Sequence, residues 1–532
     1  MTYTNLCICF LALLLPISTE LNAATYYFAC DTGNDANTGL SQTQPWQSVA
    51  KASHFEFSDG DKVLFKKGCT WEDVSIKVSH SISFGAYGDA PEAPHLIGAT
   101  KSRSWTKLNS KSIFYTQAAI EPGSPGIKEI LIVHDGKHGK FYKTASTLES
   151  LDSAGMFFHD VARNVLYIAP LEGTNLQHEI HFSSKPHIFE YQQVNVERVI
   201  IDGLQLSFAN EYAIGFWYQS SGTRNGSLRV ENCTFFGNAH QALHIGGTNS
   251  FRNVDIVANT ITANGNEGIY IGHIKGSEEG DVVTGTLRIS SNLIGGLGFG
   301  WRSMGAGSAA NGEGIDIKKG VRAAIIDNNR ILDLNGFFGI AVQSSNVVIE
   351  NNTIQDIHMT DATPDSGIAA IIVDAYDNKG STIVRRNTIT VESANGIAIR
   401  GHAERHPRVE VYENKISVAA PYFPFAFTSQ NVTNATIRDN STKGGRAGLG
   451  ILKPCCRPAN IEFHNNDIQG VSSPLLAAQD VSVGARIHSN IFCLKEAYLA
   501  IPKDLARNNI FKSNCISPAT LSPSPPQGVR IQ

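Results

Sequence analysis

"NNRILDLNGFFGIAVQSSNVVIENNTIQ", residues 328–355, contains the same phrase twice: Asn-Asn, one residue, then Ile, at 328–331 and again at 351–354. Between the copies lies an alternating strand that opens with glycine, "GIAVQ" (339–343). Outward from this stretch the asparagine phrase recurs along the chain, as "ENCTF", "ANTIT", "SNLIG", "RNTIT", "ENKIS", "HNNDI", "HSNIF" and "RNNIF". Anchored on Asn232, Asn259, Asn292, Asn329, Asn352, Asn387, Asn414, Asn440, Asn466, Asn490 and Asn509, most intervals run 19 to 27 residues. The glycine-led strand recurs as "GIYIG", "GIDIK" and "GIAIR", with "ALHIG" and "AIIVD" as variants.

A repeat of short strands at this period, with no amphipathic helix and no Leu-rich or Trp-Asp signature, excludes leucine-rich repeats and propellers. It predicts an all-β chain wound as a parallel β-helix. Successive coils then stack about 4.8 Å apart, so one sequence position repeated in every coil becomes a column. A column of asparagines at a tight corner can satisfy its amides from the backbone and from the asparagines above and below. Its expected role is structural.

The 532 residues carry 44 Lys plus Arg against 48 Asp plus Glu, a net charge of -4, which gives a nucleic acid nothing to hold. The start, with "LCICFLALLLP" and the small-residue exit "LNAA", has the layout of a secretory signal peptide cleaved near Ala23. Its apolar run is short for a span of roughly 20 residues, so export without a membrane span is expected. Seven cysteines remain after the signal; Cys30 with Cys69 and Cys493 with Cys515 are plausible pairs. No cysteine or histidine spacing matches a zinc site.

Residues 25 to about 515 resemble the right-handed parallel β-helix, pectin-lyase-like superfamily. The opening "YYFACDTGNDANTGLSQTQPWQSVAKAS", followed by "GDKVLFKKGCTW" and "ISFGAYG", resembles the start of many secreted members. The resemblance implies a short helix in "QPWQSVAKA" that caps the first coil, with Trp46, Val49 and Ala50 over the core. The expected organisation is a signal peptide (1–23), cap and first coils (24–99), a β-rich insertion (100–185), the main β-helix (186–515) and a disordered Ser/Pro-rich tail (516–532). The resemblance further implies action on an acidic polysaccharide or oligosaccharide. A monomer is the expected state.

In "GIDIK" the two isoleucines share the inner face, so Asp316 and Lys318 point outward. Aligning the strands on their inward aliphatics gives one outward column of His244, Tyr270, Asp316, Ala341, Ile372 and Ala398. A second runs Gly246, Gly272, Lys318, Gln343, Asp374 and Arg400, with His273, Lys319 and His402 one position on. An exposed face of this kind, bracketed by the long loops at 275–285, 295–312 and 358–367, suits a charged chain-like ligand.

Elimination beside a uronate needs a cation for the carboxylate, a base and an acid. Lys318, its proton affinity lowered by Lys319, is the expected base; Arg400 and Gln343 hold the carboxylate; Tyr270 or His273 passes a proton. This resembles the chondroitinase B and alginate lyase group, except that Gln343 takes the rung next to Lys318 and Arg400 lies about 14 Å away. The alternatives are an inverting glycoside hydrolase using Asp316 and Asp374, with Glu313 in support, and a non-catalytic carbohydrate-binding or adhesin-like solenoid. Glu267 and Glu313 read equally well as turn residues. Asp316, Asp374 and Asp377 offer hard oxygen donors to Ca²⁺, though too few for a shell; no cofactor is otherwise implied.

Overall fold

The computed structural model describes residues 23–108, 112–118, 120–121, 128–191, 196–218, 224–247, 250–273, 281–298, 312–344, 346–358, 368–374, 380–392, 394–401, 408–419, 427–430, 434–451, 461–477, 485–494 and 509–512. The expected signal peptide, the Ser/Pro-rich tail, His402, Asp377 and Cys515 lie outside them, as does most of each of the three long loops.

Three long sheets of 14, 14 and 12 strands run the length of the molecule, and the chain visits them in turn. One coil shows the pattern: Arg224–Glu231 in the first sheet, Thr234–Phe236 in the second, Leu243–Gly247 in the third, then Ser250–Val257 stacked on the first strand. All pairing along these sheets is parallel, as in Ile269↔Ile315 and Ile315↔Ile340. Inward aliphatics such as Ile269, Ile271, Ile315 and Ile317 are fully buried in one continuous core.

The corner between the first and second sheets explains the repeat. In each coil a residue with positive φ makes the bend, among them Ala258, Ser291, Asn328, Asn351 and Arg386. Such a conformation costs a non-glycine residue roughly 1–2 kcal/mol. The asparagine that follows offsets that cost. Asn329 donates from its backbone N and from Nδ2 to Asn352 Oδ1, at 2.9 and 3.0 Å, and Asn352 treats Asn387 the same way at 3.0 Å each. Each Nδ2 also reaches a carbonyl of the preceding coil, as Asn352 does to Ile326 O at 2.9 Å. The column runs unbroken from Asn259 to Asn509.

Asn232 does not belong to it. Cys233 holds the ladder position, its backbone N donating to Asn259 Oδ1, while Asn232 makes the positive-φ bend and donates to Asp202 outside. "ENC" fits the repeat one residue out of step, because cysteine fills the buried corner as a small apolar side chain.

The N-terminal cap contains helix Val49–His54, and Trp46 and Val49 cover the core. Ala50 is exposed; Ala52 packs in its place, one helical turn on from Val49. Cys30 and Cys69 are disulfide-bonded beside this cap. Residues 99–183 leave the coil as four- and five-stranded sheets with cores of their own. They dock on the coils through Leu131, Ile132, Phe208 and Ala239. No helix among the described residues is long and apolar enough to cross a membrane.

Candidate active site

Strand pairing in the third sheet sets His244 against Tyr270, Tyr270 against Asp316, and then Ala341, Ile372 and Ala398 in order. The phase expected from the inward aliphatics is the observed one. Lys318 and Gln343 follow their strands on the neighbouring rungs, and Asp374 pairs with Arg400.

Pointing away from the core is not the same as being exposed. Asp316 has no accessible surface, and Glu267 and Glu313 are each 5% exposed. The expectation of an open, charged face is corrected accordingly: the carboxyls at the centre of this wall are buried, while the Lys318 side chain remains 27% exposed. Oxygens of Glu267, Glu313 and Asp316 all lie within 4.8 Å of one another. The repeat brings them there, because Gln241, Glu267 and Glu313 each stand two residues before the paired inward residues Leu243, Ile269 and Ile315. Glycine or alanine follows each of them, and a Cβ on Gly268 would lie 2.7 Å from the Gly314 carbonyl oxygen. The glutamates are therefore set by close backbone packing at a corner and turned towards Asp316.

Lys318 Nζ lies 2.6 Å from Asp316 Oδ2. Burial alone would push the Lys318 ammonium down, but the Asp316 and Glu313 carboxyls outweigh it and hold the group above its ordinary value. This reverses the expectation that Lys319 lowers the proton affinity of Lys318: the nearest charges are negative. Burial, then the charge on Asp316, pushes the Glu267 carboxyl up to about 8, against the opposing hydrogen bond from the Gln241 amide. The same two causes, in the same order, raise Glu313 well above the carboxylate range. Burial and the Asp316 charge thus favour the protonated form of both glutamates beside the Lys318–Asp316 pair.

Removing one partner of such a pair leaves a buried charge without compensation. Lys318→Met is expected to lower unfolding free energy by about 2 kcal/mol, below the usual buried-pair value because the lysine side chain is 27% exposed. Urea denaturation measures it; a variant as stable as the parent would show that the pair carries no such load.

Towards the N-terminal coils the wall is aromatic. Tyr270 stacks on His244 at 4.7 Å between centroids, and His244 on Tyr212 at 4.4 Å. The Tyr270 hydroxyl donates to the His273 carbonyl at 3.2 Å, and burial, then Asp316, raises its pKa above the ordinary value. Burial pushes His244 down to about 3, so this stack carries no charge near neutrality. Towards the C-terminal coils the wall turns apolar, with Ala341, Ala369, Ile372 and Ala398 in one patch against Phe338. Arg400 lies over the Phe338 ring at 6.0 Å.

The structure thus brings Tyr270, Asp316, Lys318 and Glu313 together and adds Glu267 and Gln241. His273 and Lys319 are joined by a backbone hydrogen bond beside them, His273 N to Lys319 O at 2.9 Å. Gln343, Asp374 and Arg400 lie further along the wall. Asp374 stands two rungs from Asp316 and two residues along the strand, because Asp316 pairs through Ala341 with Ile372. That offset places the two aspartates about 12 Å apart, too far for the inverting pair expected from rung counting alone. Gln241 and Glu267 were legible only as a shared offset before the strand, since their composition is that of any turn.

Residues 284–492 match the family described as right handed beta helix region. With the strand order above, this decides the handedness. The chain is a right-handed parallel β-helix. The solved structure titled "The complex structure of XylC with xylose" superposes with a TM-score of 0.58 at 12% identity, covering 93% of this chain and 87% of that one. The lacto-N-biosidase structure from Eubacterium ramulus gives a TM-score of 0.41 at 12% identity, over 92% of this β-helix and 68% of that chain. In sequence, 99 residues are 30% identical to the lacto-N-biosidase of Bifidobacterium longum, 16% of this chain and 6% of that protein. The β-helix thus matches only a small part of that relative's length.

Proposed function

We propose that this β-helix is an exported carbohydrate-active enzyme that hydrolyses glycosidic bonds, with Glu313 as acid and Asp316 as nucleophile. The observation that carries the reading is the buried triad of Glu267, Glu313 and Asp316, two of its members held as acids and the third facing Lys318. Glycoside hydrolysis needs that division of labour: one carboxyl to protonate the leaving oxygen and another to meet the anomeric carbon. Carboxyl oxygens within 4.8 Å of one another leave no room for the water of an inverting pair, which needs roughly 6.5–9.5 Å, and so favour the retaining course over the inverting one. In the first step an Asp316 oxygen bonds to the anomeric carbon while the leaving oxygen departs with the Glu313 proton. In the second, the Glu313 carboxylate takes a proton from water, and the resulting oxygen nucleophile displaces Asp316.

Uronate elimination, the reading that the sequence alone favoured, is less well supported, because Asp316 lies 2.6 Å from Lys318 Nζ and holds the ammonium above its ordinary value. The name of the sequence relative, lacto-N-biosidase, agrees with hydrolysis. The test is to incubate the purified chain with a panel of neutral and acidic glycans, following reducing ends and, separately, ultraviolet absorbance from unsaturated ends. Reducing ends without absorbance are expected; absorbance that survives in Glu313→Gln but not in Lys318→Ala would restore elimination.

The acid form must be present for turnover. Raised carboxyls lose their proton as pH climbs, so the rate is expected to fall on the alkaline side as the Glu313 acid ionises. Stability follows the same sign: folded Glu267 holds its proton more tightly than the unfolded chain, so its contribution is full below about 4.5 and is lost towards 8. A pH–rate profile with thermal melts at each pH checks both; a rate with no alkaline fall, or melts unchanged between about pH 4.5 and 8, would contradict them.

A further inference from the structure

Three buried oxygens around the triad have no protein partner among the described residues. Asp316 Oδ1, Glu313 Oε2 and Gln241 Oε1 are buried and have no hydrogen-bond partner among the described residues. Gln241 is 6% exposed, and its amide is aimed into the cluster, Nε2 donating to Glu267 Oε2. Buried acceptors are rarely left without a donor, so a ligand that completes this site brings donors to Asp316 Oδ1 and Gln241 Oε1. The nearest cation cannot serve an incoming anion, because the Lys318 ammonium already sits 2.6 Å from Asp316. Among the described residues, Lys319 follows at the strand end and Arg400 stands three rungs away over Phe338.

We infer that the cluster of Glu267, Glu313 and Asp316 with Gln241 is the subsite for an uncharged sugar, whose hydroxyl groups donate to these open acceptors. The inference rests on the hydrolytic reading of the same site and narrows it. A uronate placed here would set a further carboxylate against Asp316, whose neighbouring cation among the described residues, Lys318, is already paired, and like-charge juxtaposition is unfavourable. A hydroxyl-rich neutral ring has no such penalty and supplies the missing donors. Gln241 then acts as a specificity-determining residue, holding Glu267 with one end of its amide and taking a sugar hydroxyl with the other.

The test uses the full chain and saturation-transfer NMR at low ionic strength. The neutral probes are xylobiose, cellobiose, lactose and N,N′-diacetylchitobiose; the acidic ones are digalacturonate, dimannuronate and a hyaluronan disaccharide. At least one neutral disaccharide is expected to bind about ten-fold or more tighter than any acidic one. Gln241→Leu is expected to weaken that binding about five-fold while Gln241→Asn restores part of it, with thermal melts showing both variants folded. Preferential binding of an acidic disaccharide, or no binding of any neutral probe, overturns the inference. Calcium chloride forms a separate arm: micromolar calcium that saturates the chain and displaces the neutral sugar would show that a cation, not a hydroxyl, fills the acceptors, and overturns it too. Neutral binding without reducing ends from any glycan would instead overturn the hydrolytic reading and leave this one standing.

Discussion

Asn352→Ala is expected to lower the unfolding free energy by about 3–5 kcal/mol, among the largest effects of any single substitution in this chain. Asn352 Oδ1 accepts from both Asn329 N and Asn329 Nδ2, and Asn352 Nδ2 donates to Ile326 O and Asn387 Oδ1. Alanine removes all four bonds in a corner too tightly packed for water to enter freely. The Asn329 amide and the Ile326 carbonyl are left buried without those partners, and each such group costs about 1–3 kcal/mol. The total falls below the simple sum because adjacent rungs relax together. Asn232→Ala is the control, since that side chain is exposed and outside the ladder; it is expected to change stability by less than about 1 kcal/mol. Chemical denaturation of the two variants decides the matter, and equal losses would show that the column carries no special share of stability.

Asp316→Asn is expected to reduce the rate of glycoside cleavage by about 10³-fold or more while leaving the chain folded. Asparagine keeps the volume and one oxygen but cannot form the glycosyl ester that the proposed first step requires. Lys318 would lose the partner now 2.6 Å away, yet its partly exposed ammonium can turn to water, so the fold is affected less than the chemistry. Steady-state rates on whichever glycan yields reducing ends, read beside circular dichroism, check the expectation. A folded variant retaining more than about a tenth of the parent rate would remove Asp316 from the role of nucleophile.

How much of this was legible beforehand follows from what a sequence encodes directly. Strand phase was legible, because inward isoleucines at every second position leave no freedom: Tyr270, Asp316 and Ala341 fall on neighbouring rungs of one outer face as alternation requires. The asparagine column was legible for the same reason, apart from its first member. Burial of the outer face was not. Whether Asp316 meets water depends on what lies over it, and alternation is silent about that. Its consequence was the largest error: Lys318 was judged against its sequence neighbour Lys319, whereas in space Asp316 and Glu313 dominate. Glu267 and Glu313 passed for turn residues because each stands alone in its own coil. Only stacking the coils shows that they share one offset with Gln241.

The ladder's boundary divides the molecule into two regimes of cohesion. Before Cys233 the coils are held by interlocked rings, with Phe28 against Phe65 and Trp46, and Phe84 against Phe189. Beyond it, a chain of side-chain amides passes hydrogen bonds in one direction from coil to coil. One aliphatic core runs through both regions and weakens on cooling in both, while the amide ladder adds its directional bonds only beyond Cys233. The carboxyl triad lies in the coils just past that seam, where the ladder's bonds are added to those of the core.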